Sequence, residues 1–528
     1  MKSDDPFQMT AIGNQIEDTP LGIPTGKLEQ IVPGLGAKVI ERNIVQRLCV
    51  FGLQESIFPN VNLMLSGRPT SARVALPRTW RIRLAQFGVP ISTWPSRIIW
   101  VCRLARMWAA GAMRTAKMIG WAWRDAVHSP NKNYSVIFIP NPKMAAGESG
   151  PRNWNFLSTF LRSPVLSGRD NEIWSVSSVA PMESRTDTKF SKLGFPRLPD
   201  MRAKLAFTGF ALRAVLVDLF RMMIGEWWRA ILQDERVVHD YVSRMVRVHG
   251  NTAESYIFTS ANLLIRPLWT FSAEARGARI ILAFISTNFV ATTGKPGKYI
   301  INTGLRSMNW PIYAVWDEAQ ARFLRQTGHV DAQIINMGAI GYIDDPTIEI
   351  SLPERTIAVF DVAPIRQARL ADMGYPNPYY TKSSLRFVDD LVTAAAHLNA
   401  HVALKQKPKA DKIIHGPYQT YLRRLSVGGQ IIVLPSTVSP HRIIVNAACV
   451  VSAPFTSTAY VAESLGVPSA FYDPLSSLVG RTDLGGSVPI LNGIDELNSW
   501  LKSTLPADPM SEPSTQVMAK RTIESPRR

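Results

Sequence analysis

The chain has 528 residues, too many for one hydrophobic core, so two or three domains are expected. Hydrophobic residues make up 46% and aromatic residues 9%, which excludes a wholly disordered chain. A formal net charge of +18 points to an anionic partner: nucleic acid, a membrane surface or an acidic substrate.

Cys49, Cys102 and Cys449 lie far apart with no C-x-x-C, which fits a reducing cytoplasm better than a disulfide framework or a zinc site. Met1 to Asp5 leads into no apolar signal-peptide region, and no uncharged apolar run reaches the about 18 residues of a membrane span. The expectation is a cytoplasmic protein, peripheral on the inner face of the cell membrane.

Residues 1–130 read as an accessory segment whose centre, 96–125, is SRIIWVCRLARMWAAGAMRTAKMIGWAWRD. On a helix, Arg103, Arg106, Arg114, Lys117 and Arg124 fall within roughly 80° of one another. The preferred reading is a helix in an anionic membrane interface, cations toward the headgroups and Trp at the boundary. The alternative is a helix packed on its own protein with a solvated basic stripe. The five cations argue against spanning, and Arg78, Arg81 and Arg83 extend the patch. No RRM, KH or helix-turn-helix signature is present, so no nucleic-acid partner is expected.

The stretch from His128 to Asn133 breaks this segment, and strands are predicted at Ser135–Pro140 and near Ile173–Val179. Met201–His249 is strongly helical and reads as core. From residue 255 strands and helices alternate. Strands are expected at Tyr256–Phe258, Arg279–Ile285 and Pro311–Trp316, then at Thr356–Phe360, Ala400–Leu404, Gln430–Leu434, Ala448–Ser452 and Ser469–Tyr472. Alternation of this kind means parallel sheets covered by helices. The predicted fold class is α/β: two Rossmann-like domains, 131–345 and 346–505, facing a cleft, with an N-terminal basic helical extension. Residues 506–528 read as a disordered tail.

Ser452-Ala453-Pro454-Phe455-Thr456-Ser457-Thr458-Ala459 joins a strand to a helix through small hydroxyl residues. A helix start carries free N–H groups and partial positive charge, which attract phosphate. The plainer reading makes Thr456 or Ser457 an N-cap only. Lys405, Lys407 and Lys409 alternate at the end of a strand, so period two puts them on one face. There they suit a phosphate leaving group, a solvated edge being the alternative. Asp317 and Glu318 begin a helix after a strand. They serve either the helix dipole or the chemistry, as general base or nucleophile. Asp361, ending a strand, is a third catalytic candidate. His441, Tyr472 and Asp473 are candidates for contact with the nucleotide or sugar.

A wider set of motifs runs in this order: Ser260-Ala261-Asn262 with Arg266-Pro267-Leu268-Trp269; Phe284-Ile285-Ser286-Thr287-Asn288; Val315-Trp316-Asp317-Glu318; Val359-Phe360-Asp361-Val362; Leu404-Lys405-Gln406-Lys407-Pro408-Lys409; Ser452–Ala459; and Phe471-Tyr472-Asp473-Pro474. Over roughly residues 250–503 it resembles bacterial polysaccharide-biosynthesis proteins of the GT-B glycosyltransferase architecture, among them the β-Kdo transferases that use CMP-Kdo. Some of those relatives carry His-Pro and Gln-Pro; the nearest counterparts here depart from them, Pro440-His441 in reversed order and Gln406-Lys407-Pro408 with an insertion. The resemblance implies a nucleotide-sugar donor in the second domain, a lipid-linked or oligosaccharide acceptor toward the first, and no cofactor or metal. It also implies that Glu463 touches the donor's ribose and that Asp317 leads as catalytic carboxylate. Two other readings stay open: a CDP-polyol phosphotransferase, and a non-catalytic scaffold of a polysaccharide assembly complex.

Overall fold

The computed structural model describes residues 12–13, 15–51, 71, 73–89, 91–123, 134–139, 170–175, 189–191, 198, 200–249, 253–260, 265–286, 304–342, 349–362, 364, 381–405, 416–435, 438–476 and 487–507. Two parallel sheets organise them. In the first, β1 (Tyr134–Ile139), β2 (Asp170–Ser175), β3 (Lys189–Ser191), β4 (Ser255–Ser260), β5 (Arg279–Phe284), β6 (Ile312–Val315) and β7 (Gln333–Asn336) lie in the order β3-β2-β1-β4-β5-β6-β7. In the second, β8 (Thr356–Phe360), β9 (His401–Lys405), β10 (Ile432–Leu434), β11 (Cys449–Ser452), β12 (Ser469–Asp473) and β13 (Ile490–Asn492) lie in the order β10-β9-β8-β11-β12-β13. Both orders are doubly wound: the chain runs outward one way, then returns past its first strand and runs the other way. The reversal points fall between β1 and β4 and between β8 and β11, where sheets of this kind open a crevice at their carboxyl ends. The expected α/β architecture of two such sheets with an N-terminal helical portion is present.

Central strands buried on both faces read as continuous apolar runs, as Ile312–Val315 (IYAV) does here. Alternate residues of the second sheet serve different layers. Ile357, Val359, Leu404, Val451 and Tyr472 pack with Leu391 of α9 (Thr381–His397), Leu422 of α10 (Gly416–Val427) and Leu497 of α13 (Gly493–Thr504). Ala358, Phe360, Ala403 and Val450 pack with Ile443 of α11 (Pro440–Val445) and Val461 of α12 (Ser457–Ser464).

The two sheets share apolar surface: Phe455, Ala459, Tyr460 and Phe471 belong to the same core as β4, β5 and β6. Trp316, just past β6, meets Tyr460 edge-on, and Tyr342 of the connecting segment reaches Ser457 of α12.

The N-terminal portion is bound into the first lobe. α1 (Thr25–Glu29), α2 (Ala37–Leu48), α3 (Arg78–Gln86) and α4 (Thr93–Trp123) share a core in which Ile40, Ile44, Trp80 and Leu104 pack with Ile231, Leu232 and Leu268. Asn43 Nδ2 donates to Arg266 O (2.9 Å) and Gly304 N donates to Glu17 Oε2 (2.9 Å) across this boundary. The basic helix predicted at 96–125 is α4. It buries Trp100, Leu104, Gly111, Thr115, Met118 and Ala122. At Gly111 the helix comes close to its neighbour: a Cβ there would sit 2.7 Å from Gln233 Oε1 and oblige that side chain to shift. Of the predicted cationic stripe, Arg103 lies over the Phe51 ring at 4.9 Å and Arg114 pairs with Asp234. Arg106 and Lys117 are exposed, and Arg124 lies outside the described residues.

Met201–His249 is two helices, α5 (Met201–Met223) and α6 (Trp228–His249). Between them Gly225 takes φ +102°, which a residue without Cβ adopts at no steric cost. The expectation that this whole segment is core needs correction. α6 is buried, but α5 hides only Phe207, Ala211, Ala214 and Asp218.

Candidate functional site

The register of the second sheet decides which side chains share a face. Ser452 aligns with Phe360, Phe360 with Lys405, and Lys405 with Leu434. Aligned residues of parallel strands point the same way, so Lys405 and Ser452 stand on the α11/α12 face, on strands about 10 Å apart. They bracket β8 at the reversal point. Burial alone depresses the Lys405 ammonium to about 8, and its Nζ donates to Pro435 O at 3.5 Å. Lys407 and Lys409 lie outside the described residues.

The turn after β11 is held open by a buried ring. Phe455 takes φ +63°, a left-handed conformation that costs a residue with a Cβ about 1 kcal/mol or more. Its ring is buried against Phe471, centroids 5.6 Å apart. Thr456 is the residue before α12, yet its hydroxyl makes no capping bond. Instead Thr456 Oγ1 donates to Ala453 O (2.9 Å), and Thr458 Oγ1 lies 2.9 Å from Ser452 Oγ. Ser457 Oγ lies 3.3 Å from the Tyr342 hydroxyl. The hydroxyls therefore brace one another and leave the start of α12 uncapped by Thr456. Pro454 lies in this turn. His441 is the second residue of α11 on the same face, its backbone N–H donating to Ser439 Oγ (3.3 Å), the cap before Pro440.

Asp317 caps α8 (Glu318–Gln326): Oδ1 accepts from Gln320 N at 2.7 Å. Oδ2 is buried with no hydrogen-bond partner among the described residues. Burial raises this carboxyl above its ordinary value. Glu463 pushes the same way, while the N–H groups of Gln320 and Ala319 and the charge of Arg322 oppose it. Glu463, exposed on the last turn of α12, accepts from Ser487 Oγ at 2.6 Å. The structure thus brings Asp317 of the first lobe near Glu463 of the second.

Three predicted site residues are placed otherwise than expected. Glu318 turns to solvent and pairs with Arg325 at 2.8 Å. Asp361, one residue past Phe360, falls on the opposite face of the sheet from Lys405. There it is buried beneath α10 and accepts the Tyr418 hydroxyl. The Tyr472 ring is buried among Phe387 and the α9 side chains, its hydroxyl donating to Asp390. Asp473, two residues past Phe471, stands on the same face as Ser452 and Lys405, where it is buried and accepts Leu475 N at 3.2 Å. Tyr342 and Pro435 enter the site's surroundings without any sequence signal, because each comes from a loop distant in the chain.

Among the described residues no cluster of His, Cys, Asp or Glu has the grouping of a metal site, and no helix is long and apolar enough to cross a membrane. A buried lysine, paired hydroxyls and an uncapped helix start at one sheet edge are chemically suited to anionic oxygens.

No curated protein matches the chain. Among solved structures, the UDP-forming α,α-trehalose-phosphate synthase from Burkholderia xenovorans is 10% identical, covering 72% of this chain and 92% of its own, with TM-score 0.35. The UDP-GlcNAc 2-epimerase from Methanocaldococcus jannaschii is 9% identical, covering 71% and 93%, with TM-score 0.37. Phytolacca americana UGT2, complexed with UDP-2-fluoro-glucose and pterostilbene, is 10% identical, covering 70% and 89%, with TM-score 0.36. Residues 212–501, more than half of the chain, match the family described as polysaccharide biosynthesis PFTS motif protein, and the chain belongs to that family.

Proposed function

We propose that the protein is a glycosyltransferase of GT-B architecture that moves a sugar from a nucleotide donor to a growing, lipid-linked surface polysaccharide. One observation carries the reading: Lys405 and the Ser452–Thr458 turn stand on the same face of the second sheet, at its reversal point. Opposite faces would have removed it.

The donor's phosphate lies against the start of α12, with Lys405 and the turn hydroxyls beside it. As the bond between the anomeric carbon and the phosphate oxygen breaks, that oxygen keeps the electron pair. Lys405 and the helix N–H groups stabilise the charge. The acceptor's hydroxyl oxygen bonds to the anomeric carbon, and its proton passes to Asp317, whose raised pKa makes it a stronger base. Thr456 and Glu463 lie about 10 Å apart along α12, and the Asp317 region approaches that helix beyond its start, leaving room for a sugar on that phosphate. CMP-Kdo is one candidate donor that the motif resemblance suggests, without fixing the sugar. Membership of a polysaccharide-biosynthesis family supports a glycan acceptor.

The test is nucleotide release from CMP-, UDP- and GDP-sugars, with and without oligosaccharide acceptor. One donor is expected to turn over, and Lys405→Ala to slow it at least tenfold. A folded protein that releases nucleotide from none of them would leave the scaffold reading in its place.

A further inference from the structure

α4 and α5 run antiparallel. Trp108 Nε1 of α4 donates to Val215 O of α5 (3.2 Å), and Trp123 Nε1 further along α4 donates to Thr208 Oγ1 earlier on α5 (2.9 Å). Both helices press one side onto the protein. The opposite side of α5 is apolar and open: Leu205, Leu212, Leu216, Phe220 and Met223 are 56%, 54%, 68%, 59% and 69% exposed. At 100° per residue these five span roughly 80° of arc, opposite the buried Phe207, Ala211, Ala214 and Asp218. On α4, Trp94, Ile98 and Val101 are 67%, 47% and 63% exposed, on an arc roughly continuous with the flank that meets α5. The two helices make one apolar plate.

Its charge is one-sided. α4 contains no Asp or Glu. α5 contains only Asp218, buried and turned inward to Arg229 (3.1 Å) and Arg236 (2.8 Å). Arg106 and Lys117 on α4, and Arg202 and Arg213 on α5, are exposed. At helical spacing each pair falls on its helix's flank away from the other helix, so cations edge the plate on both sides.

We infer that the α4/α5 plate is a monotopic docking surface for an anionic lipid bilayer: the leucines and Phe220 enter the headgroup boundary and the rim cations bind lipid phosphates. This deepens the lipid-linked acceptor proposed above and rests on that reading only for its purpose. A second copy of the chain fits less well, because a self-complementary contact would set unneutralised cations against each other. Apolar insertion with cationic flanks is the chemistry of helices that lie in an interface.

Full-length protein is mixed with vesicles of phosphatidylcholine alone, or of phosphatidylcholine and phosphatidylglycerol in equal parts, and sedimented. Wild type is expected to pellet with the anionic vesicles, less so at high salt. Leu212→Glu/Leu216→Glu, on an exposed face, is expected to melt like wild type and to lose binding by about tenfold or more per leucine. Equal binding by wild type and variant, or no preference for anionic vesicles, overturns the inference. So does a wild-type dimer in the absence of lipid that the variant breaks, which would make the face a self-interface. Nucleotide release from a soluble donor, measured on both proteins, is expected to be unchanged. Its absence in both alongside intact vesicle binding defeats the transferase reading and leaves the docking surface standing.

Discussion

Trp316 of the first lobe and Tyr460 of α12 in the second meet edge-on, ring centroids 6.3 Å apart and planes at 82°. Trp316 is fixed from behind, its Nε1 donating to Phe284 O at 2.7 Å. The contact seats the next residue, Asp317, against the helix whose start is the proposed phosphate site. Tyr460→Ala is expected to cost about 3–5 kcal/mol by removing a buried aromatic ring. Calorimetry will read this as a fall of several degrees in the thermal midpoint.

Asp317 has two jobs that one substitution separates. Asparagine caps a helix about as well as aspartate, whereas alanine costs about 1 kcal/mol there. Asp317→Asn is therefore expected to melt like wild type while sugar transfer falls by about 10²–10⁴-fold. Asp317→Ala loses both. Transfer that survives in the asparagine variant would reduce the residue to a cap.

The pH response of Lys405 has a defined sign. Its folded-state value, about 8, lies below the ordinary 10.5, so the unfolded chain binds the extra proton between those values. Stability contributed through this group is thus lowest below about pH 8 and rises as pH climbs from about 8 toward 10.5. Phosphate binding works the other way, since an anion beside Nζ favours the ammonium. Nucleotide affinity is expected to fall as pH passes about 8, with a proton taken up on binding. Titration calorimetry in buffers of different ionisation heat checks this, and Lys405→Met should abolish the uptake.

Asp361 and Tyr418 form a buried pair beneath α10. Tyr418→Phe removes the donor and leaves the carboxylate less well satisfied, at an expected cost of about 1–3 kcal/mol. Denaturant unfolding measures it. Turnover per folded molecule should stay near wild type, because the pair lies on the far face from Lys405.

The central strands were legible because burial on both sides demands unbroken apolar runs, as Arg279–Phe284 and Cys449–Ser452 illustrate. β7 was not, since its Gln-Ile-Ile-Asn run is short and half-exposed at an edge. Neither was α13, where Gly493 opens the helix without a side-chain cap. Periodicity found α4 and α5 but not which stripe each buries, and so α5 read as core. In the site, parity put Lys405, Lys407 and Lys409 on one face, and of these Lys405 alone lies among the described residues. Asp361 was misplaced because ending a strand fixes position along the edge, while one residue more or less reverses the face. Chain spacing carried no trace of the approach of Glu463 to Asp317.

The left-handed Phe455 is a commitment made during folding. Its ring is already packed beside Phe471, so capturing an anion there is expected to demand little rearrangement of the loop, and the association rate to track diffusion rather than loop ordering. The hydroxyls of Ser452, Thr456 and Thr458 brace the same bend, so an exchange at any of them alters the shape of the turn as well as what it offers an anion.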